Sequence, residues 1–90
     1  MAVNITLHKT QRQFTDGQKV VTVDGNTVGS CLDDLVEKFP AIETELFERK
    51  QELKKNIEIY VNLESAYPDE LAKEVQDGDE IHVTLILTGG

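Results

Sequence analysis

The sequence has a single cysteine, Cys31, so no internal disulfide can form, and a lone thiol fits a reducing compartment. It is short of cations: nine Lys and Arg stand against 17 Asp and Glu, for a net charge of -8. A domain so charged repels nucleic acid and anionic membrane, which excludes both as expected partners and favours basic protein surfaces. No apolar run approaches the roughly 18 residues that a membrane span needs. The start, Met1-Ala2-Val3-Asn4-Ile5-Thr6-Leu7, has neither a basic segment nor a continuous apolar one, so no secretory signal is expected and the cytoplasm is the expected location. Also missing are a GxGxxG, a Walker loop, a cysteine pair at metal spacing and a nucleophile elbow, so no catalytic centre is expected. There is no internal repeat or low-complexity segment.

What is present is patterned. Ninety residues make one domain with a single core. Val3, Ile5 and Leu7 alternate with Asn4, Thr6 and His8, which predicts a strand with one buried face. A polar stretch, Thr10 to Gln18, follows; Phe14 is expected to pack back from it, and Asp16-Gly17 supplies a turn. A second strand spans Lys19 to Val23 with Val21 and Val23 inward. Thr27 is the predicted N-cap of a helix whose apolar stripe is Val28, Cys31, Leu32, Leu35, Val36 and Phe39, and Pro40 ends it. Residues 41–55 read as a second, mostly polar helical segment, with Ile42 and Leu46 on one side and Glu45 and Arg49 at helical spacing. Asn56 to Asn62 predicts a third strand with Ile57, Ile59 and Val61 inward and Glu58 and Tyr60 outward. Leu63 to Val75 is an irregular crossing, with a short strand or a helical turn, anchored by Leu71 and Val75. Asp77-Gly78-Asp79 then turns the chain into the last strand, where Ile81, Val83, Leu85 and Leu87 face one side and His82, Thr84 and Ile86 the other. This order fits an α+β domain, a mixed sheet over one helix, with the last strand parallel to the first in its middle.

Candidate chemistry is sparse. Cys31 lies in the helix stripe and reads as a packed core thiol. His8 and His82 take the outward parity of strands expected to be neighbours, which would set them side by side, but two histidines without a third ligand do not make a metal site, and none is expected. Asp69, Glu70, Glu74, Asp77, Asp79 and Glu80 crowd the segment before the last strand, offset only by Lys73. They read either as a solvated loop or as a patch that steers the adjacent tail toward a basic groove. The chain stops on Gly89-Gly90, which cannot add to a core, so packing alone does not explain it. Its chemistry is the α-carboxylate, ionised at neutral pH and able to attack the α-phosphate of a nucleotide. Nothing in the chain would bind that nucleotide, so the catalyst must be another protein. Without side chains the end can thread a channel closed to any β-carbon, and Thr88 to Gly90 would reach about 10 Å from the sheet.

Taken together, Gly25-Asn26-Thr27-Val28, Leu35-x-x-x-Phe39-Pro40, Ile59-Tyr60-Val61-Asn62, Asp77-Gly78-Asp79-Glu80 and Gly89-Gly90 resemble the ubiquitin-like sulfur carriers of the MoaD and ThiS family. The similarity spans nearly the whole chain, and the long first loop, Arg12-Gln13-Phe14-Thr15-Asp16-Gly17, is similar to the CysO-like branch. The resemblance implies a β-grasp fold: a mixed sheet of four to five strands on one main helix over 1–87, with 88–90 as a flexible tail. It also implies a non-enzymatic role. The carboxylate of Gly90 would be adenylated by a ubiquitin-activating-type adenylyltransferase that uses ATP and magnesium. A sulfur donor would convert it to a thiocarboxylate, and an acceptor enzyme would take the sulfur, for cysteine or homocysteine, molybdopterin or tRNA thiolation. The carrier itself would hold no cofactor and would be monomeric when free. Leu63 and Leu85 depart from the family pattern, at a turn and in the tail strand, and bear on which acceptor is served. Tyr60, Leu63 and Ile86 are the candidate partner surface, against a reading as ordinary half-exposed sheet residues. The alternative functions are a modifier joined to lysines of target proteins through Gly90, and a plain β-grasp interaction module.

Overall fold

The computed structural model describes residues 2–86, so Leu87 and the tail residues Thr88, Gly89 and Gly90 lie outside the described residues. Five strands form one sheet in the order β2 (Val20–Asp24), β1 (Ala2–Thr6), β7 (Glu80–Leu85), β5 (Ile57–Val61), β6 (Glu64–Ser65). Strand β1 is antiparallel to β2, with Ile5 opposite Val21, and parallel to β7, with Ile5 beside Ile81. Strand β5 closes on the other side of β7, antiparallel, with Val83 opposite Ile59. The inward residues of β1, β2 and β5, with Ile81 and Val83 of β7, are buried, as a period of two on a one-faced sheet requires, whereas Leu85, expected inward, is only partly buried. The mixed sheet, with its last strand parallel to the first at the centre, agrees with the sequence expectation.

One helix, α1 (Val28–Lys38), covers that face and buries Val28, Cys31, Leu32 and Leu35, with Val36 and Phe39 partly buried beside them. Each fully buried Leu or Ile contributes roughly 1.5–3 kcal/mol of transfer free energy. The helix starts where predicted. Thr27 Oγ1 accepts from Ser30 N at 3.1 Å and Ser30 Oγ accepts from Thr27 N at 3.0 Å, a reciprocal cap that satisfies two part-buried backbone donors. It ends with Phe39 N donating to Leu35 O, after which Pro40 opens a 3-10 turn over Pro40–Ile42.

The expected second helix over 41–55 is corrected. Only one turn forms, α2 (Glu43–Leu46), and the chain then reverses through a two-stranded hairpin of β3 (Phe47–Arg49) and β4 (Glu52–Leu53). Ile42 and Leu46 are buried as predicted, but Arg49 pairs with Glu52 at 3.2 Å rather than with Glu45. The reason is packing. In the hairpin Phe47 stands opposite Leu53, and both pack on the core. A helix would swing Phe47 about 100° away from Leu46 and carry the chain away from the start of β5. Lys54 N donating to Leu46 O closes the excursion instead.

Two loops are more ordered than their composition suggests. Lys9–Thr15 is a 3-10 helix capped by His8, whose Nδ1 accepts from Thr10 N at 3.2 Å, and Phe14 packs on the core as expected. The crossing between β5 and β7 holds both a short strand, β6, and a 3-10 turn over Glu70–Ala72. Its far end is pinned to the start of α1: Val28 N donates to Lys73 O, and Val75 N to Asn26 O.

Candidate functional site

Strand β7 lies at the centre of the sheet and carries the chain to the last described residue, Ile86. Ile81 and Val83 are buried between sheet and helix, and Ile86 N donates to Asn56 O at 2.8 Å, so the backbone is held up to the last described residue. Beyond that point lie Leu87, Thr88, Gly89 and Gly90, outside the described residues.

Ile86 forms part of the wall of an open groove of about 790 Å³. Leu53, Ile57 and Leu71, buried or half-buried, supply its apolar part, and Tyr60, Tyr67 and Pro68 line it as well. Its charged residues are Glu52, Glu58, Asp69 and Glu70 with Lys54 and Lys55, four carboxylates against two ammonium groups, which suits a cationic partner segment. The Tyr60 hydroxyl donates to the Glu58 carboxylate, and that bond holds the phenol above its ordinary pKa, so it stays protonated as a donor.

Of the three sequence candidates for a partner surface, the structure therefore brings Tyr60 and Ile86 to one groove at the far end of β7. Leu63 is elsewhere. It sits in the β5–β6 turn, next to the pair Val61 and Ile81, at the other end of β7. Five residues at about 3.3 Å each separate Ile81 from Ile86, roughly 17 Å. Tyr67, 76% exposed, and Lys54, Lys55, Asp69 and Glu70 were not expected at the site. No local pattern marks them; only the packing of the hairpin and the crossing against β5 makes them neighbours.

Two further expectations are corrected. His8 and His82 are not cross-strand neighbours: the register sets His82 between Thr6 and Tyr60, while His8, past the end of β1, caps the 3-10 helix. His82 Nε2 lies 3.8 Å from Glu80 Oε1, and among the described residues no group of three or more His, Cys, Asp or Glu is placed to hold a metal. The acidic turn is also displaced. Asp77 and Asp79 precede the start of β7, so they stand roughly 20 Å from Ile86, about twice the screening length at 0.1 M salt. They also hold backbone in place. Asp77 accepts from Ala2 N at 2.8 Å, and Asp79 accepts from Asn62 Nδ2 at 3.0 Å and Gln76 N at 2.8 Å. The Asn62 bond first, then the Gln76 bond, pulls the Asp79 carboxyl below its ordinary pKa. Only Asp69 and Glu70 of that acidic segment reach the groove.

Cys31 is fully buried in the core, and desolvation raises its pKa, so it stays a neutral thiol. The described chemistry thus reduces to a last strand held up to Ile86 beside a partly acidic groove. A model of the ThiS family matches residues 5–90. The chain belongs to the ThiS family. It is 30% identical over 93 aligned residues to the sulfur carrier protein CysO of Mycobacterium tuberculosis, with each chain covered in full. Among solved structures it superposes on a chain of the BexX/CysO complex of Amycolatopsis orientalis with a TM-score of 0.88, at 31% identity, covering 99% of this chain and 100% of that one. SAMP1 of Haloferax volcanii gives a TM-score of 0.85 at 30% identity, with both chains fully covered. The fold is thereby the β-grasp of ubiquitin-like proteins. As a ThiS-family sulfur carrier, the protein is a substrate and not an enzyme.

Proposed function

We propose that Gly90 is the residue on which this carrier holds sulfur, with 1–87 as the body that partners recognise and Thr88 and Gly89 as the narrow tail that reaches their active sites. A carboxylate oxygen of Gly90 attacks the α-phosphate of ATP, bound with magnesium by a ubiquitin-activating-type adenylyltransferase, and pyrophosphate leaves. A sulfur donor of the hydrosulfide class then attacks the acyl carbon and displaces AMP, and loss of the sulfur's proton leaves a thiocarboxylate. That sulfur passes to an acceptor enzyme of a biosynthetic pathway: cysteine or homocysteine formation, molybdopterin synthesis or tRNA thiolation. The observation that carries the reading is the ThiS-family match, which runs through to residue 90 and so includes the Gly-Gly end. The groove with Tyr60 and Ile86 beside the exit of β7 supports a docking surface for the activating enzyme. The net charge of -8 supports a free monomer that avoids nucleic acid and membrane. The unpaired, buried thiol suits work in the reducing cytoplasm.

One observation favours a second reading. The chain is as similar to SAMP1, a small archaeal modifier protein, as it is to CysO, and an adenylated Gly90 would equally acylate a lysine amine, releasing AMP and forming an isopeptide bond. Intact mass after incubation with ATP, activating enzyme and a sulfur source separates the two. Exchange of one oxygen for sulfur is expected of the carrier, and lysine-linked adducts in lysate of the modifier. Neither product, with full activity of a Gly90 deletion, would refute both.

A further inference from the structure

The cations of this acidic chain are concentrated where its last strand stops. Residues 49–55 hold four of the nine Lys and Arg against a single carboxylate, Glu52, in a chain of net charge -8. They run from the end of β3 through β4 into the turn before β5, which Ile57 N closes by donating to Lys54 O at 3.1 Å. The last backbone bond of β7 lands on that turn. Ile86 N donates to Asn56 O at 2.8 Å, so the last described residue is bonded to the residue that follows Lys54-Lys55. Arg49 is engaged by Glu52 at 3.2 Å. Among the described residues, the ammonium groups of Lys54 and Lys55 form no ion pair or hydrogen bond. The nearby carboxylates are committed elsewhere, Glu52 to Arg49 and Glu58 to the Tyr60 hydroxyl. Two free cations thus line the groove beside Ile86, in a protein with 17 carboxylates to offer.

We propose that the groove takes the end of its own chain: in the free carrier, Leu87 to Gly90 turn back into it from Ile86, and the terminal carboxylate sits between the Lys54 and Lys55 ammonium groups. The inference rests on the carrier reading above in taking Gly90 as the terminus. Length, shape and charge favour this occupant. Four extended residues reach about 14 Å, whereas Asn56 lies one strand spacing away, about 5 Å, with Lys55 and Lys54 the next two Cα steps of about 3.8 Å. The carboxylate therefore reaches either ammonium even after a turn. Leu87 has the parity of Leu85, which pairs with Ile57, so it is the residue suited to the apolar part of the groove at Leu53, Ile57 and Leu71. Gly89 and Gly90 bend back at no steric cost. The end is an anion as carboxylate or thiocarboxylate, so both forms are held alike. A cationic segment of another protein would suit Asp69 and Glu70 but would meet two like charges beside Ile86. Exposed ion pairs and one leucine only narrowly offset the ordering of four residues, so the hold is loose and a partner that fills the groove releases the end.

The test is made on the free full chain at about 0.02 M salt, where surface charges are little screened, and needs no activating enzyme. Amide relaxation should give Gly89 and Gly90 order parameters above about 0.6, the limit below which backbone counts as flexible, and Leu87 methyls should show NOEs to Leu53 or Leu71. In the Lys54→Gln/Lys55→Gln double variant the NOEs should vanish and the order parameters fall about twofold. A chain whose terminal carboxylate is converted to the amide should behave in the same way, and it leaves the folded body untouched. Lys50→Gln removes a cation that does not line the groove and should change neither readout. Wild-type order parameters below about 0.6 would overturn the proposal, as would wild-type values in the double variant or the amide. So would tail order that falls on tenfold dilution, which would place the tail in the groove of a second copy. Each of these failures leaves the carrier reading intact, because that reading stands or falls on the exchange of oxygen for sulfur in intact mass.

Discussion

Gly25 offers a direct test of why the segment Gly25-Asn26-Thr27-Val28 opens the helix. A β-carbon at residue 25 would stand 2.6 Å from Ser30 Oγ, 2.8 Å from Cys31 N and 2.9 Å from Cys31 Sγ. Ser30 Oγ cannot simply rotate aside, because it accepts from both Asn26 N and Thr27 N and completes the cap of α1. Nor can the Cys31 amide move without unwinding the first turn. Gly25→Ala should therefore cost an overpacking contribution of about 1–3 kcal/mol and a cap contribution of about 1 kcal/mol, or about 2–4 kcal/mol in all. Against a total stability of roughly 5–13 kcal/mol for a domain of this size, that is a large loss. With a urea m-value of roughly 1–1.5 kcal/mol/M, the midpoint should fall by about 2 M. Gly78→Ala is the control. Gly78 has φ 89° but nothing within 4 Å of its would-be β-carbon, so it should lose only about 1–2 kcal/mol from left-handed strain. Because Asn26 and Val28 also pin the crossing at Lys73 and Val75, amide exchange in Gly25→Ala should quicken there as well as in α1. A Gly25→Ala variant with the wild-type midpoint, beside a lowered Gly78→Ala, would refute the steric account.

Asp79 has a folded-state pKa below its unfolded value, so its contribution is complete above about pH 4 and is lost as pH falls through the lowered folded value. Asp79→Asn should flatten the acid limb of a stability profile between about pH 2 and 5, and an unchanged limb would show that the bonds to Asn62 and Gln76 do not couple to folding. The displaced acidic turn makes a kinetic prediction. At about 0.1 M salt, joint neutralisation of Asp69 and Glu70 should slow association with the activating enzyme, whereas Glu80→Gln should not, as stopped-flow rates would report. Equal slowing by both would restore the turn before β7 as a steering element.

Much of the core was legible in the sequence. The alternation in Val3-Ile5-Leu7, Ile57-Ile59-Val61 and Ile81-Val83, and the stripe from Val28 to Phe39, depend on local geometry, so each strand and the helix announced its own buried face. The cap at Thr27 and the stop at Pro40 are likewise local events. Residues 41–55 were misread because their fate is not local. Ile42 and Leu46 suit either a helix or a single turn, and the choice was made by Phe47 and Leu53 finding the core from opposite arms of a hairpin, while the chain had to return in time for Ile57 to pair with Leu85. The site divides along the same line. Sequence alone determined that the chain ends in Gly-Gly after a firmly one-faced strand, because those features are read residue by residue. Tertiary structure alone decided that Tyr60 and Ile86 share a groove with Tyr67 and Glu70, that Asp77 and Asp79 are structural and distant, and that Leu63 stands apart at the other end of β7. Those are distances between segments far apart in the chain, and they are fixed only when β5 and β7 pair and the crossing folds back across them.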